Sequence, residues 1–170
     1  VRNETGFHCR GCGQRHDSLP FAYGADAPAY WTDDLAGDER SFLEQDRCVI
    51  AGEQFFVRAR LLIPVTDADT PFEWGVWVSL SEGNFNRMTE LWTSEIRQYE
   101  PPYFGWLSTE LTMYQPSTLR LRTNVHTQPV GVRPTVELEP SDHPLAVEQW
   151  TGITTARVRK IAEELLHPAS

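Results

Sequence analysis

Gln54 to Ser81 reads QFFVRARLLIPVTDADTPFEWGVWVSLS. In its first part Phe55, Val57, Ala59, Leu61 and Ile63 alternate with Arg58 and Arg60, the period of two expected of a strand with one buried face. The last part repeats the pattern, with Trp74, Val76, Val78 and Leu80 on one side and Glu73, Trp77, Ser79 and Ser81 on the other. Between them TDADTP is rich in turn formers, so the two strands are expected to pair as an antiparallel hairpin.

The flanking sequence adds helices and further strands. SEGNFNRMTELWTSEIRQYEPP, residues 81–102, places Phe85, Met88, Leu91, Trp92, Ile96 and Tyr99 at helical spacing, with Ser81 as N-cap and Pro101-Pro102 as the stop. YFGWLSTEL, TLRLRTNVHT and RPTVELE read as three more strands, and in the second of them Arg120, Arg122, Asn124 and His126 share the polar face. ITTARVRKIAEELLH puts Val158, Ile161, Ala162, Leu165 and Leu166 on one helical stripe behind a Thr154 cap. A short helix is expected over ERSFLEQ, residues 39–45. The reading is an α+β fold: an antiparallel sheet of about five strands packed on one face by two main helices, with a small zinc-knuckle-like N-terminal segment. Residues 1–170 form one domain in this reading, divided into a knuckle at 7–16, an irregular connector at 17–40, and the sheet and helices at 47–170.

At 170 residues the chain is long enough to bury a core without disulfides, and six tryptophans and eight phenylalanines supply bulky material for it. The net charge is −9. Residues 1–85 carry seven basic and fourteen acidic side chains, against eight and ten in residues 86–170. Such a surface repels phosphate backbones, which argues against nucleic acid as a partner. No apolar run reaches the length of a membrane span, and three cysteines do not make a disulfide framework, so a reduced cytoplasmic protein is expected.

The segment FHCRGCGQRH, residues 7–16, holds Cys9 and Cys12 two residues apart with a glycine after the second. Thiolates at this spacing let the backbone turn around a tetrahedral ion, and one structural zinc is the cofactor it suggests. His16 is the better local imidazole, since His8 is adjacent to Cys9, and Cys48 is the candidate to approach from the first strand. A turn without metal is the competing reading, and a redox pair is disfavoured by the lack of a helix behind it.

Other candidates are weaker. Arg58, Arg60, Arg120, Arg122, Trp77 and His126 suit a carboxylate or phosphate ligand if the strands pair so that they share one face. The plainer reading is a solvated face paired to Glu73, Glu137 and Glu139. Trp106, with Tyr103 and Phe104 around Gly105, reads separately as a pocket wall or a packed corner. Around VELEPSDHPLAVEQ, Glu139, Asp142 and Glu148 surround His143, and with His126 they offer acid/base chemistry. The same SDHP also reads as ordinary punctuation before a helix, with Ser141 or Asp142 as cap and Pro144 in the first turn. No G-x-S-x-G elbow, P-loop, G-x-G-x-x-G or H-E-x-x-H occurs.

In order along the chain, CxxCG, CVI with FFVRARLLIPV, WGVWVSLSEGNF, PPYFGWL, VHTQPVGVRP and ELEPSDHPLAVEQ make the protein resemble a bacterial family, domain of unknown function 2199. The resemblance implies a compact bacterial cytosolic protein and no established activity. It matches the family's cysteine pair to Cys9 and Cys12, and its CVI cysteine to Cys48. The expectation that follows is a non-enzymatic accessory protein that binds a protein or small ligand. The alternatives are a small-molecule enzyme with a His/carboxylate pocket on the sheet face, and an immunity-type inhibitor of a basic protein.

Overall fold

The computed structural model describes residues 6–167. Residues 1–5 and 168–170, which the single-domain reading included, lie outside the described residues. In chain order, β1 (Phe7–His8) and β2 (Arg15–His16) form a small antiparallel ribbon, followed by β3 (Ala22–Gly24), β4 (Phe42–Leu43) and β5 (Arg47–Ile50). The two long strands β6 (Gln54–Ile63) and β7 (Phe72–Leu80) lead to α1 (Glu82–Glu90). Then come β8 (Tyr103–Leu107), β9 (Arg122–His126), β10 (Thr135–Leu138), α2 (Pro144–Thr151) and α3 (Thr155–Leu166).

The expected hairpin forms along its whole length, from Phe55 opposite Leu80 to Ile63 opposite Phe72. The open antiparallel sheet does not. β6, β7, β8, β9 and β10 pair in turn, and β10 returns to β6, so the five strands close into a barrel. The closing pair is parallel, with Thr135 opposite Arg60 and Val136 opposite Leu61. Long twisted strands coil and are easily closed on themselves, which removes the exposed edges of an open sheet. Each long strand divides its second edge: β6 between β5 and β10, β7 between β3 and β8.

Glycine permits one of these contacts. A Cβ on Gly105 in β8 would fall 2.7 Å from the Ser79 carbonyl oxygen and still nearer Val78 Cγ1. The inward side chains of the barrel, among them Ala59, Leu61, Trp74, Val76, Val125 and Val136, join Phe85, Met88, Leu145, Val158 and Ile161 from the helices in one core. The helices are therefore part of a single apolar cluster with the barrel and do not lie on one face of a flat sheet.

The periodicity misplaces some of the helical residues. The helix capped by the Ser81 hydroxyl stops at Glu90, and a separate 3-10 turn spans Glu95–Tyr99. Ile96 and Tyr99 consequently face solvent, 59% and 79% exposed. Arg97 turns inward in their place. Its guanidinium donates to the carbonyls of Trp92, Gln128, Pro129 and Val132, which satisfies a buried cation without a carboxylate. Residues 39–45 are not helical either: Phe42 and Leu43 pair with Val49 and Cys48 as strand β4.

Behind the barrel a chain of polar contacts ties the helices down. Trp74 Nε1 donates to the Tyr114 hydroxyl, which donates to Glu148 of α2, and Glu148 accepts from Arg157 of α3. Burial, reinforced by Glu148, pushes the Tyr114 hydroxyl well above the ordinary phenol range. The start of α3 is held twice, by its Thr154 cap and by Asp67 from the turn between β6 and β7.

Two outcomes follow. Gly105→Ala is expected to destabilise the protein by about 1–3 kcal/mol in denaturant unfolding, because the methyl group has no room between β8 and β7. Asp67→Ala is expected to lower Tm at neutral pH. Hydrogen bonds from Thr155 hold the Asp67 carboxyl below its ordinary value of 3.8, so its stabilisation is present above that pH and lost as pH falls through the depressed folded value. The Tm gap between variant and wild type should therefore close in acid.

Candidate metal centre and an aromatic cleft

The N-terminal ribbon turns between its strands at Cys9–Gln14, where Cys9 N–H donates to Gln14 O, Gly13 N–H donates to Cys9 O, and Gly13 takes φ 70°. This turn sets Cys9 and Cys12 beside His16 of β2. The fourth member of the group is His167, just past the end of α3. One ligand atom from each of Cys9, Cys12, His16 and His167 lies within 4.8 Å of the others, close enough to bind a metal ion. The Cys12 Sγ to His16 Nε2 distance is 3.5 Å. A tetrahedron with Zn–S of about 2.3 Å and Zn–N of about 2.0–2.1 Å has an S···N edge of about 3.6 Å, so the donors fit that group.

A second observation fixes His167 against the turn. A Cβ on Gly11, between the two cysteines, would meet the Cβ, Cγ and Cδ2 atoms of His167 at 2.8–2.9 Å. Glycine is what lets the imidazole approach. Arg10 N–H also donates to Glu163 on α3, at 3.3 Å, and Phe7 and Cys9 form an apolar cluster with Ala162 of the same helix.

Cys48 is not in this group, which corrects its assignment as a ligand. It lies fully buried beside Ile50, Phe56 and Trp77, and burial pushes its thiol up to about 12. Trp77 is the second correction. Its position in the alternation faces away from the main core, but Ala25, Trp31 and Leu35 of the connector cover it completely, and its Nε1 donates to Ala25 O. Burying so large an aromatic contributes on the order of 2–3 kcal/mol, which explains why the irregular connector stays on the barrel. Arg58 stacks on the Trp77 ring at 5.8 Å and is held by Gln45 O and Asp26, so neither residue presents a binding surface.

The acid/base candidates are also dispersed. His143 is the N-cap of α2 in place of Ser141 or Asp142. Its Nδ1 accepts from Leu145 N–H, so its Nε2 carries the proton and donates to Pro116 O at 2.8 Å. Both nitrogens of that ring are occupied by structural contacts. His126 is on β9, 3.9 Å from Glu137, beside Gln149 and Trp150. Glu139 pairs with Arg122, Asp142 is exposed, and Glu148 belongs to the Tyr114 chain.

Trp106 and Arg120 do come together. Both line a cleft of about 500 Å³ at the end of the barrel where β6 begins and β7 and β8 end. The expected strand over 118–127 starts only at Arg122, because Arg120 takes φ 67° and Leu121 N–H turns back to Thr118 O. That left-handed residue breaks the alternation and separates Arg120 from Arg122, whose guanidinium lies against the Phe104 and Trp106 rings. Tyr30 from the connector completes the aromatic wall, in ring contact with Phe56.

The ordered segments quoted above find their counterpart in a family model described as "Uncharacterized protein conserved in bacteria (DUF2199)", which matches residues 8–153. The chain belongs to that family. The match contains Cys9, Cys12 and His16 and ends before His167. No curated protein and no solved structure matches the chain. Among the described residues, no helix is long and apolar enough to cross a membrane.

Two signals in the sequence point to His167: a glycine between the cysteines, and an imidazole placed at the end of an amphipathic helix. Cys48 should differ sharply from the cysteines of the turn. In native protein it is expected to resist a thiol reagent at pH 8, and to react only after denaturation. Mass mapping of the labelled peptides checks this.

Proposed function

We propose that the protein is a non-enzymatic binding protein in which one structural zinc ion, held by Cys9, Cys12, His16 and His167, ties the N-terminal turn to the end of α3. The convergence of two thiols and two imidazoles from opposite ends of the chain carries this reading. A mixed sulfur and nitrogen set with tetrahedral spacing suits zinc, and four protein ligands leave no open position for a substrate. The ion would supply fixed geometry: two-residue strands such as β1 and β2 bury too little to hold themselves in place.

The binding part of the reading is supported by where the chemistry is not. Both ring nitrogens of His143 serve structural contacts, and neither His143 nor His126 lines the cleft that contains Trp106 and Arg120. Three free thiols, Cys9, Cys12 and Cys48, suit a reducing compartment such as the cytoplasm.

Elemental analysis of protein purified without added metal tests the centre. About one zinc per chain is expected, absent from Cys12→Ser and bound at least about tenfold more weakly by His167→Ala. Chelation should lower the Tm of wild type and leave that of Cys12→Ser unchanged. Wild-type protein free of metal, or His167→Ala with undiminished affinity, would overturn the four-ligand assignment.

A further inference from the structure

The cleft at the barrel end has a chemistry of its own. Its wall carries two aromatic rings left open to solvent, Tyr30 at 39% and Trp106 at 42% exposure, with Phe55 half-buried beside them. Large aromatics on a protein surface are normally covered, and a concave site that keeps them open has the form of a ligand pocket.

The cation on the rim is unusual in this chain. Acidic side chains outnumber Lys and Arg by 24 to 15, and the other arginines of the barrel have partners. Arg58 meets Asp26, Arg60 meets Glu73, Arg122 meets Glu139 and Arg133 meets Asp46. Arg120 is exposed, and among the described residues its guanidinium has no ion pair or hydrogen bond. Its backbone is also held at φ 67°, a conformation unfavourable for an L side chain, by its own N–H donating to Leu107 O and by the Thr118–Leu121 turn. The fold thus accepts a strained residue at the place where a planar, unpaired cation meets the aromatic wall.

The other polar groups narrow the ligand. Ser108 uses its hydroxyl proton on Trp106 O at 2.9 Å and so offers the cleft an acceptor, while Ser79 reaches the same oxygen only at 3.5 Å. Glu53, also in the lining, repels a second negative charge and accepts from a donor. We propose that this cleft binds a flat aromatic monocarboxylate bearing an N–H or O–H donor, with its carboxylate on Arg120 and its ring against Trp106 and Tyr30. A guanidinium matches a carboxylate with two parallel hydrogen bonds, and an aromatic wall matches a planar body. This deepens the binding-protein reading without involving the metal centre, so metal analysis and ligand binding can fail separately.

Indole-3-carboxylate is the probe, measured by calorimetry and by quenching of tryptophan fluorescence. Saturable binding is expected, weakened at least about tenfold by Arg120→Gly and by Trp106→Ala, and only partly restored by Arg120→Lys. Arg120→Gly should keep a Tm no lower than wild type, since glycine adopts positive φ without steric cost, so lost binding in that variant is not lost folding. Indole, without the carboxylate, and cyclohexanecarboxylate, without the flat ring, should each bind at least about tenfold more weakly. Absence of saturable binding at millimolar probe would overturn the proposal, as would an unchanged affinity in Arg120→Gly. Equally tight binding of inorganic phosphate would overturn the ligand class.

Discussion

Closure of β10 onto β6 is the constraint from which the rest of the molecule follows. It consists of a short parallel contact, Arg60 N–H to Pro134 O with Val136 beside Leu61, between strands that are neighbours in no local sense. Once it forms, every strand of the ring has two partners, and the inward residues of all five share one core with the helices. It also decides what remains outside. β3 flanks the free length of β7 and β5 that of β6, with β4 beyond β5, and the connector is left to cover the outer face at Trp77.

The alternation in Gln54–Ser81 was enough to read the central hairpin, because a period of two with branched and aromatic residues has few other solutions. The caps at Ser81 and Thr154 were legible for a similar reason: each is a local hydroxyl that needs only a nearby N–H. Closure was not legible, since a parallel contact of two residue pairs leaves no pattern in either strand. Alternation puts Trp77 on the outer face but cannot choose between a covering segment and a binding surface, because it separates two faces without saying whether anything lies over the outer one. Arg97 shows the converse: a buried arginine satisfied by four carbonyls looks in the sequence like any exposed helical cation.

The candidate sites divide along the same line. Cys9, Cys12 and His16 are neighbours in the chain, and their spacing announced them. His167 is brought to them by the path of α3, which Gly11 and the imidazole at the helix end are consistent with but do not determine. Arg120 reads in the sequence as part of a polar strand face and Trp106 as part of a separate aromatic segment, yet the two meet through a turn that abandons the strand. Polar residues that looked catalytic around His143 serve mainly to fasten α2, α3 and the loop at Pro116 to the barrel.

The position of the metal centre has a mechanical consequence. Its four residues sit at the two ends of the described chain, with the whole barrel strung between Cys9 and His167. With an ion bound there, a force pulling Cys9 and His167 apart would load metal–thiolate and metal–imidazole bonds before it reached any strand pairing of the barrel. The barrel is then an inner ring of a polypeptide that is itself closed into a loop, and the entropy of its unfolded state is reduced accordingly. A fold of short outer strands and one brief closing contact would in this way be braced at its two-residue N-terminal ribbon and at the end of α3.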